Sequence, residues 1–360
     1  MTTSPRGRNS ASASSLMGRV TTIRGRSGTS QTIARVPKRV AVDDVAEHNR
    51  KMWDRLSAAG IPYTRPQGTP PRTRAGKRRF LDPDDRLAGL PIAGQRVLAL
   101  AGGGGWGPVL FAELGADTTL LDISSRQLRT VRELARSRGA KLHFAQGDMR
   151  DLSAFDDGSF HIVWHSHSIV FVPDAGRVIA EVGRVLAPGG VYRGSTMHPV
   201  TMRMYGGWTG AGWRFSKSYF ADGAIGAADY TWEFGDIKVE AATLEYGHRI
   251  SDLINSCAAA GLVVDGFWEW SPGEISTRVP VRPASPEELG QSEGVVPGSD
   301  DDLERNVPAF IEWRARKLIP RDAPTVPPPG PPRRTARRSR TASAPRSAGS
   351  RPSPRPGRGR

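Results

Sequence analysis

The chain has 360 residues, 38% of them hydrophobic, and a formal net charge of +15 at pH 7. The positive charge lies at the two ends, because residues 1–40 hold eight Lys and Arg with no acid, and residues 321–360 hold eleven Arg with one Asp. The residues between them hold 32 basic and 35 acidic side chains, which excludes a basic nucleic-acid-binding domain spanning the whole chain. The single cysteine, Cys257, excludes an internal disulfide and a cysteine-based zinc site.

Both ends, 1–40 and 321–360, are predicted to be disordered tails. The second holds ten of the 29 prolines and has few apolar residues to bury. An electrostatic arm for nucleic acid or an anionic membrane is the alternative to a solvated tail. The acid-free N-terminus also fits an organellar transit peptide, or a leader before a start at Met17. No apolar stretch reaches 18 residues, so we expect no membrane span and a cytoplasmic location.

Apolar periodicity between the ends predicts alternating helices and strands. Residues 43–59 predict a helix, and the basic, turn-rich stretch 64–88 predicts a loop. The strands that follow are predicted at 96–101, 118–122, 141–145, 160–165 and 191–195. The helices among them are predicted at 106–114, 124–138 and 174–186, with Ser124 or Ser125 as the cap of the second. This alternation predicts an α/β fold with a doubly wound, mostly parallel sheet.

Residues 197–248 interrupt the alternation and are rich in glycine and aromatic residues. Within them, 230–236 and 239–249 predict two strands. A helix at 251–260, a strand at 262–269 and a last helix at 302–317 are predicted to follow. The last helix rests on the helical spacing of Leu303, Val307, Phe310 and Ile311. We therefore expect one domain at 41–320, composed of 41–94, a core at 95–196, the insertion 197–248 and a C-terminal part at 249–320.

A glycine-rich turn, Ala101-Gly-Gly-Gly-Gly-Trp-Gly107, follows the first predicted strand. Glycines let a ligand approach the backbone, and the next helix offers free N–H groups. Asp122 ends the second strand, seventeen residues after Gly105, where an acid of a doubly wound sheet accepts hydrogen bonds from ribose hydroxyls. Both features also fit a nicotinamide-binding domain, and the alternative role for Asp122 is a helix cap.

Two more segments, Gly147-Asp148-Met149 and Leu186-Ala-Pro-Gly-Gly190, complete a motif order that resembles the class I S-adenosylmethionine-dependent methyltransferases. The resemblance is close from about Val97 to Arg193 and looser across 41–320. It implies a Rossmann-like fold and S-adenosylmethionine as cofactor. In such enzymes the acid at the position of Asp148 accepts from the adenine amino group, and the next residue packs on the ring; the alternative for Asp148 is a turn residue. The implied cofactor-binding residues are Ala101, Gly102, Gly103, Gly104, Gly105, Asp122, Asp148, Met149 and His165.

Three positions depart from the pattern of that family. Ala99 stands where the family often has an acid, Ala101 where it usually has glycine, and His161 where an Asp commonly begins the fourth strand. The first departure leaves open how the methionyl ammonium is held, while the backbone of the glycine-rich turn remains able to hold the carboxylate. Trp106 is interpreted either as a lid over the cofactor or as a core residue.

Histidines alternate along the fourth predicted strand, so His161, His165 and His167 are expected on one face. His165 and His167 lie at its carboxyl end, where ligands bind in such sheets, and are the candidate general bases. One alternative is half of a metal site, although no third ligand lies nearby in sequence, and no metal is expected. The other is structural, with one histidine lining the cofactor pocket and one bonded to a loop carbonyl.

The resembled family usually inserts its acceptor-binding elements where 197–248 lie. Trp208, Trp213, Tyr219 and Phe220 are the candidate acceptor-binding residues, and the alternative is an ordinary packed cap. The expected function is transfer of a methyl group to an O or N atom of a small organic acceptor. One alternative is a nicotinamide-dependent oxidoreductase, although Leu110 stands where the third glycine of its motif would fall. The other is a nucleic-acid-associated, methyltransferase-like protein with basic arms, which are the only expected contact with nucleic acid. The oligomeric state is not predicted.

Overall fold

The computed structural model describes residues 42–225, 230–234, 236–270 and 297–319. The predicted tails at 1–40 and 321–360 lie outside these residues, so their disorder stays a prediction. The described strands are β1 Arg96–Leu100, β2 Asp117–Asp122, β3 His143–Gln146, β4 Phe160–Ser166, β5 Leu186–Met197, β6 Thr231–Phe234, β7 Ile237–Glu240, β8 Leu262–Trp270 and β9 Phe310–Lys317. The described helices are α1 Val42–Ala59, α2 Arg74–Leu81, α3 Gly107–Glu113, α4 Ser125–Arg138, α5 Ala175–Val185, α6 Pro199–Met204, α7 Ile250–Ala259 and α8 Asp300–Asn306.

Seven of these strands form one sheet in the order β3-β2-β1-β4-β5-β9-β8. The first five strands run parallel, and β9 lies antiparallel between β5 and β8. β4 is the central strand of the seven, and residues Val97 to Leu100 of its neighbour β1 are fully buried. Helices α5 and α7 cover one face, while α2, α3 and α4 cover the other. The predicted doubly wound, mostly parallel fold is confirmed.

Local sequence signals set the helices next to the sheet. The Ser124 hydroxyl caps α4 by accepting from the Gln127 backbone N–H at 3.1 Å, and Gly139 ends the helix with a φ of 65°. The Asp174 carboxylate caps α5 in the same way, accepting from the Arg177 N–H at 3.0 Å. These caps fix where each helix begins above the carboxyl ends of the strands.

The last predicted helix, 302–317, is wrong. Only α8 is helical there, and β9 follows it after Pro308. Proline disfavours a helical residue before it, so the helix ends at Asn306. Because β9 pairs on both edges and is covered on both faces, Phe310, Ile311 and Trp313 are all buried, and this two-sided burial produces the spacing that resembles a helix.

The predicted loop at 64–88 contains α2, which is a second correction. This helix is short and mostly basic, so its composition carries little apolar periodicity. Tertiary contacts hold it instead: Lys77 pairs with Glu113 at 2.8 Å, and Arg74 donates to the Leu114 carbonyl at 3.0 Å. The Thr73 hydroxyl caps its first turn.

The insertion 197–248 begins with α6, which the sequence did not predict, and continues to the β6–β7 hairpin. The strand predicted at 230–236 is confirmed as β6, whereas the strand predicted at 239–249 is wrong: β7 covers only Ile237–Glu240, and 241–249 contain no strand. The hairpin packs on α1 in a separate small core that includes Leu56, Ile61 and Trp232. It therefore stands above the sheet beside α1.

Candidate active site

A cleft of about 810 Å³ opens at the carboxyl end of the parallel strands. Its lining comes from the turns after β1, β2, β3 and β4, from β5, from α1 and from the insertion. Ligands bind at this edge in doubly wound sheets, since the strand order reverses there between β1 and β4. The fold thus brings residues from distant parts of the sequence to one site.

The turn after β1 and the end of β2 form one end of the cleft. The Gly103 N–H donates to Asp122 Oδ2 at 2.9 Å, and the Ser124 N–H donates to Asp122 Oδ1 at 2.8 Å. A Cβ at Gly103 would lie 2.6 Å from Asp122 Oδ2, so only glycine permits this approach. Ala101 also lines the cleft, with a φ of 46° that favours glycine. Gly102, Gly104 and Gly105 complete the turn behind the lining.

Asp122 is buried, and burial raises the pKa of its carboxyl to about 6. The two backbone N–H donors oppose this shift, and the nearby Asp54 carboxylate adds to it. Asp54 on α1 accepts a hydrogen bond from the Ser124 hydroxyl at 2.6 Å, which connects α1 to this end of the cleft. Asp122 is therefore a fixed acceptor whose ionisation occurs near neutral pH.

The turn after β3 supplies the next part of the lining, from Gly147, Asp148 and Met149. The buried Arg150 guanidinium holds the Asp148 carboxylate, with Nε at 3.0 and 2.9 Å from its two oxygens. This ion pair fixes Asp148 in the wall beside Met149. The predicted residues Ala101, Gly103, Asp122, Asp148 and Met149 thus meet in one place.

His165 does not reach the cleft. It is fully buried on the face covered by α5 and α7, where its Nδ1 lies 3.0 Å from the Tyr192 hydroxyl. Burial, with a smaller contribution from Arg193, lowers the pKa of His165 to about 3. Its predicted catalytic and cofactor-binding roles are corrected to that of a neutral core histidine.

His167 does line the cleft, because the chain turns just after β4. Its φ is 54°, and its N–H donates to the Ser195 carbonyl at 2.9 Å. The ring packs on Phe310 with centroids 4.9 Å apart, and burial lowers the pKa of His167 to about 4. Above that pH the imidazole is neutral and able to accept a proton.

The predicted acceptor residues Trp208, Trp213, Tyr219 and Phe220 lie outside the cleft lining, which corrects that prediction. Trp208 and Trp213 pack together, and Trp213 Nε1 donates to Asp302 at 3.0 Å. The Phe220 side chain is 72% exposed. Trp208 and Trp213 therefore belong to a packed cap, which is the alternative interpretation, whereas Phe220 extends into solvent.

A different set of aromatic residues lines the cleft. They are Trp53, Tyr63, Phe171, Tyr205, Tyr230, Trp232, Trp270 and Phe310. Trp53 and Phe171 meet edge to face with centroids 5.0 Å apart, as Tyr63 and Trp232 do at 5.8 Å. The aromatic-rich insertion 197–248 was the sequence signal for Tyr205, Tyr230 and Trp232, whereas the other aromatic residues come from elements that converge only in three dimensions.

A few polar side chains interrupt this aromatic lining: Asn49, Ser166, Arg193, Ser195, Lys217 and Glu245. Arg193 donates to the hydroxyls of Ser166 at 2.9 Å and Ser195 at 3.1 Å, and it pairs with the buried Glu312. None of these residues was a sequence candidate. Trp106 lies outside the lining, packed against the α2–α3 side of the core.

Comparison with known proteins decides the family. A sequence-family model described as a methyltransferase domain matches residues 98–193. An uncharacterized methyltransferase of Bacillus subtilis, YbaJ, is 33% identical over 249 residues, which cover 63% of this chain and 91% of that protein. The chain belongs to the class I S-adenosylmethionine-dependent methyltransferases. S-adenosylmethionine is therefore the cofactor of this methyltransferase, and the nicotinamide-dependent alternative is wrong.

The methyltransferase is also similar, at lower sequence identity, to a further relative and to a solved structure. A ubiquinone biosynthesis O-methyltransferase of Xanthomonas oryzae is 32% identical over 111 residues, or 31% of this chain and 46% of that one. The chain therefore spans about half of that relative. A solved structure of an S-adenosylmethionine-dependent methyltransferase from Mesorhizobium loti has a TM-score of 0.46 at 22% identity, covering 68% of this chain and 100% of that one.

The cofactor end of the methyltransferase fits S-adenosylmethionine chemically. Glycine at position 103 lets the turn after β1 lie directly against Asp122, and Asp122 and Asp148 line the cleft as two carboxylates that suit the hydroxyl and amino donors of a nucleoside. Among the described residues, no three His, Cys, Asp or Glu side chains cluster as metal ligands would. No helix in the described part of the chain has the length and apolar character needed to cross a bilayer.

Proposed function

We propose that the enzyme transfers the methyl group of S-adenosylmethionine to an O or N atom of a small organic acceptor. The observation that carries this proposal is a single cleft that is lined both by the nucleoside-type residues and by many aromatic side chains. Apolar pockets with a few placed polar groups suit small organic ligands. The partial relatives named as O-methyltransferases favour oxygen as the methylated atom.

In this proposal the cofactor lies against the turns after β1, β2 and β3. Asp122 accepts from the ribose hydroxyls, Asp148 accepts from the adenine amino group, and Met149 packs on the ring. Arg150 keeps the Asp148 carboxylate oriented. When bound, S-adenosylmethionine supplies a methyl group on a positively charged sulfonium, which is already activated for displacement.

The chain contributes alignment and a proton acceptor. Alignment of acceptor and methyl donor reduces the barrier by several kcal/mol, taking roughly 7–11 kcal/mol as the upper range for such effects. His167 is the proposed base, since it lines the cleft and no described residue hydrogen-bonds its ring nitrogens. It takes the proton of the acceptor O–H or N–H at one imidazole nitrogen while the neighbouring aromatic side chains exclude water.

The test supplies S-adenosylmethionine with an isotopically labelled methyl group to the enzyme and a panel of phenols, alcohols, amines and thiols. Mass spectrometry locates the label, and S-adenosylhomocysteine formation gives the rate. We expect the label on oxygen or nitrogen of a small acceptor. Label only on carbon, on sulfur or on added nucleic acid contradicts the proposal.

We further propose that 41–320 form the methyltransferase domain, that the enzyme is cytoplasmic, and that any nucleic acid binds only through the basic ends. A chain of residues 41–320 should bind S-adenosylhomocysteine as the full chain does. Nucleic-acid binding by the full chain should weaken steeply with salt and vanish in the shorter chain. Retained nucleic-acid binding by 41–320 contradicts this part.

A further inference from the structure

Glu245 stands in the cleft on a segment without helix or strand, between β7 and α7. This segment is nevertheless held in place. Asn49 of α1 accepts from the Leu244 N–H at 2.8 Å and donates to the Leu244 carbonyl at 3.0 Å. The Tyr246 N–H donates to the Val170 carbonyl at 2.7 Å, and the Glu245 carbonyl accepts from the Ile225 N–H at 2.7 Å. The Glu245 side chain is thus carried by a well-fixed backbone.

Among the described residues the carboxyl of Glu245 has one hydrogen-bond partner, the Thr243 hydroxyl, which donates to its Oε1 at 2.8 Å. In the described part of the chain, no Lys, Arg or His side chain forms an ion pair with it. Burial raises the pKa of this carboxyl, and the hydrogen bond from Thr243 opposes that shift only in part. A carboxylate withdrawn from water needs a positively charged or hydrogen-bonding partner. A molecule bound in the cleft can supply that partner to Glu245.

The neighbouring cations of the insertion are engaged elsewhere. The Lys217 ammonium donates to the Ile225 carbonyl. The Arg203 guanidinium bonds the carbonyls of Pro199, Ser218 and Gly247. Their interactions are therefore with backbone oxygens, and the second oxygen of Glu245 has no bond from either.

Aromatic rings lie beside the same segment. Asn49 donates to the carbonyls of both Leu244 and Phe171, so the Phe171 ring belongs to the adjoining stretch of the wall. Trp53 lies one helical turn after Asn49 on α1 and contacts that ring. A cation near a carboxylate gains further stabilisation from aromatic faces.

We propose that Glu245 binds a protonated amine, so that the acceptor is a small organic molecule carrying an ammonium group. This proposal rests on the function proposed above and narrows its substrate class. The ammonium is an anchor, because its lone pair is occupied by a proton. The atom that receives the methyl group is a separate oxygen or nitrogen of the same molecule, on the side of His167.

The test uses probe pairs that differ in ammonium against hydroxyl: phenethylamine with phenethyl alcohol, and tryptamine with tryptophol. Calorimetry at pH 7.5 measures the affinity of each probe for enzyme that is saturated with S-adenosylhomocysteine. The wild-type enzyme should bind the amine of at least one pair about 10-fold or more tightly than its alcohol, as for a charge-assisted hydrogen bond. Glu245→Gln should reduce this preference to less than about 2-fold and leave the alcohol affinity unchanged.

Glu240→Gln is the matched control, since Glu240 is exposed on β7 and outside the cleft lining. It should keep the amine preference, and both variants should keep the wild-type thermal midpoint. Equal affinity for amine and alcohol in the wild-type enzyme, or no binding of either amine at millimolar concentration, overturns the proposal. An amine preference that survives Glu245→Gln overturns it as well.

The methionyl ammonium of the cofactor is a second ammonium group that Glu245 could bind. A further experiment distinguishes the cofactor ammonium from an acceptor ammonium. S-adenosylhomocysteine carries that ammonium, whereas 5′-methylthioadenosine does not. Glu245→Gln should leave both affinities unchanged; a loss for S-adenosylhomocysteine alone overturns the assignment to the acceptor. Methyl transfer to neutral phenols without any amine preference contradicts this inference and leaves the proposed function intact, while label on carbon or sulfur alone contradicts the proposed function.

Discussion

The two groups of residues that line the cleft are built in different ways. The proposed cofactor residues come from three successive strand ends, with Gly103, Asp122 and Asp148 within 46 residues of sequence. The proposed acceptor residues come from α1, the β6 strand and β9, so that Trp53, Trp232 and Phe310 are widely separated in sequence. Backbone N–H groups hold the Asp122 carboxylate in the first group, and aromatic packing holds the second. Sequence motifs predict the first group, whereas the second is brought together only by the folded chain.

The largest expected effect is on the turnover rate when His167, the proposed base, is replaced. His167→Ala should lower kcat by about 10²- to 10⁴-fold, the usual contribution of a positioned base, and leave S-adenosylhomocysteine affinity unchanged. Burial lowers the pKa of His167 to about 4. The deprotonation of His167 should therefore make wild-type kcat/KM rise with pH through about 4 and then level off.

His143→Ala is the control for that variant, because His143 is exposed on β3 and pairs with Asp117 away from the cleft. It should keep the wild-type kcat. A parallel loss of cofactor affinity and turnover in His167→Ala contradicts the assignment, since it would indicate a structural histidine.

A smaller effect separates the two sets of aromatic residues. Trp232→Leu should raise the acceptor KM by about 3- to 10-fold with cofactor affinity unchanged, taking roughly 0.5–1.5 kcal/mol for an aromatic contact. Trp213→Leu should leave KM unchanged and lower the thermal midpoint, because Trp213 packs in the cap and bonds Asp302. Steady-state kinetics and thermal unfolding of both variants check this. An effect on KM from Trp213 alone would restore the original sequence prediction.

Buried ionisable groups give the next effect, on stability. His165 has its pKa lowered from 6.5 to about 3, so between these values the unfolded chain binds a proton that the folded chain does not. The free energy of unfolding should therefore fall as the pH decreases from about 6.5 towards 3, by up to about 1.4 kcal/mol per pH unit. Asp122, with its pKa raised from 3.8 to about 6, acts in the opposite direction within that window.

Urea unfolding at pH 5 and pH 7 measures this dependence. His165→Gln should flatten the acid loss of stability, and Asp122→Asn should steepen it. An unchanged pH slope in both variants contradicts the burial of these two groups as ionisable residues.

The smallest expected effect concerns the backbone of the glycine-rich turn. Ala101 has a φ of 46°, where glycine is favoured, so Ala101→Gly should raise the free energy of unfolding by about 0.5–1 kcal/mol. Ala112→Gly inside α3 should lower it by about 1 kcal/mol, because that position is helical. Chemical denaturation of both variants gives the comparison, and a loss of stability in Ala101→Gly contradicts the strain.

Particular residues show what the sequence could predict. Ser124 capped α4 as expected, because capping depends on neighbours two or three residues away. The spacing of β9 predicts a helix, because its burial comes from β5 and β8, which are distant in sequence. His165 and His167 share a strand pattern, and only the turn at His167 places one in the core and the other in the cleft. Glu245 lies in the stretch 239–249, whose pattern predicts a strand, and nothing in that pattern marks its side chain as a ligand.

Asp122 is the central proposed ligand of the cofactor, and its role is expected to be independent of the aromatic residues of the cleft. Calorimetric titration of Asp122→Ala with S-adenosylhomocysteine tests this, with Asp117→Ala, an exposed acid at the start of the same strand, as control. The affinity of Asp122→Ala should fall by about 1–3 kcal/mol, the range for a hydrogen bond to a charged acceptor, and that of Asp117→Ala should not change. Undiminished affinity in folded Asp122→Ala would contradict the account.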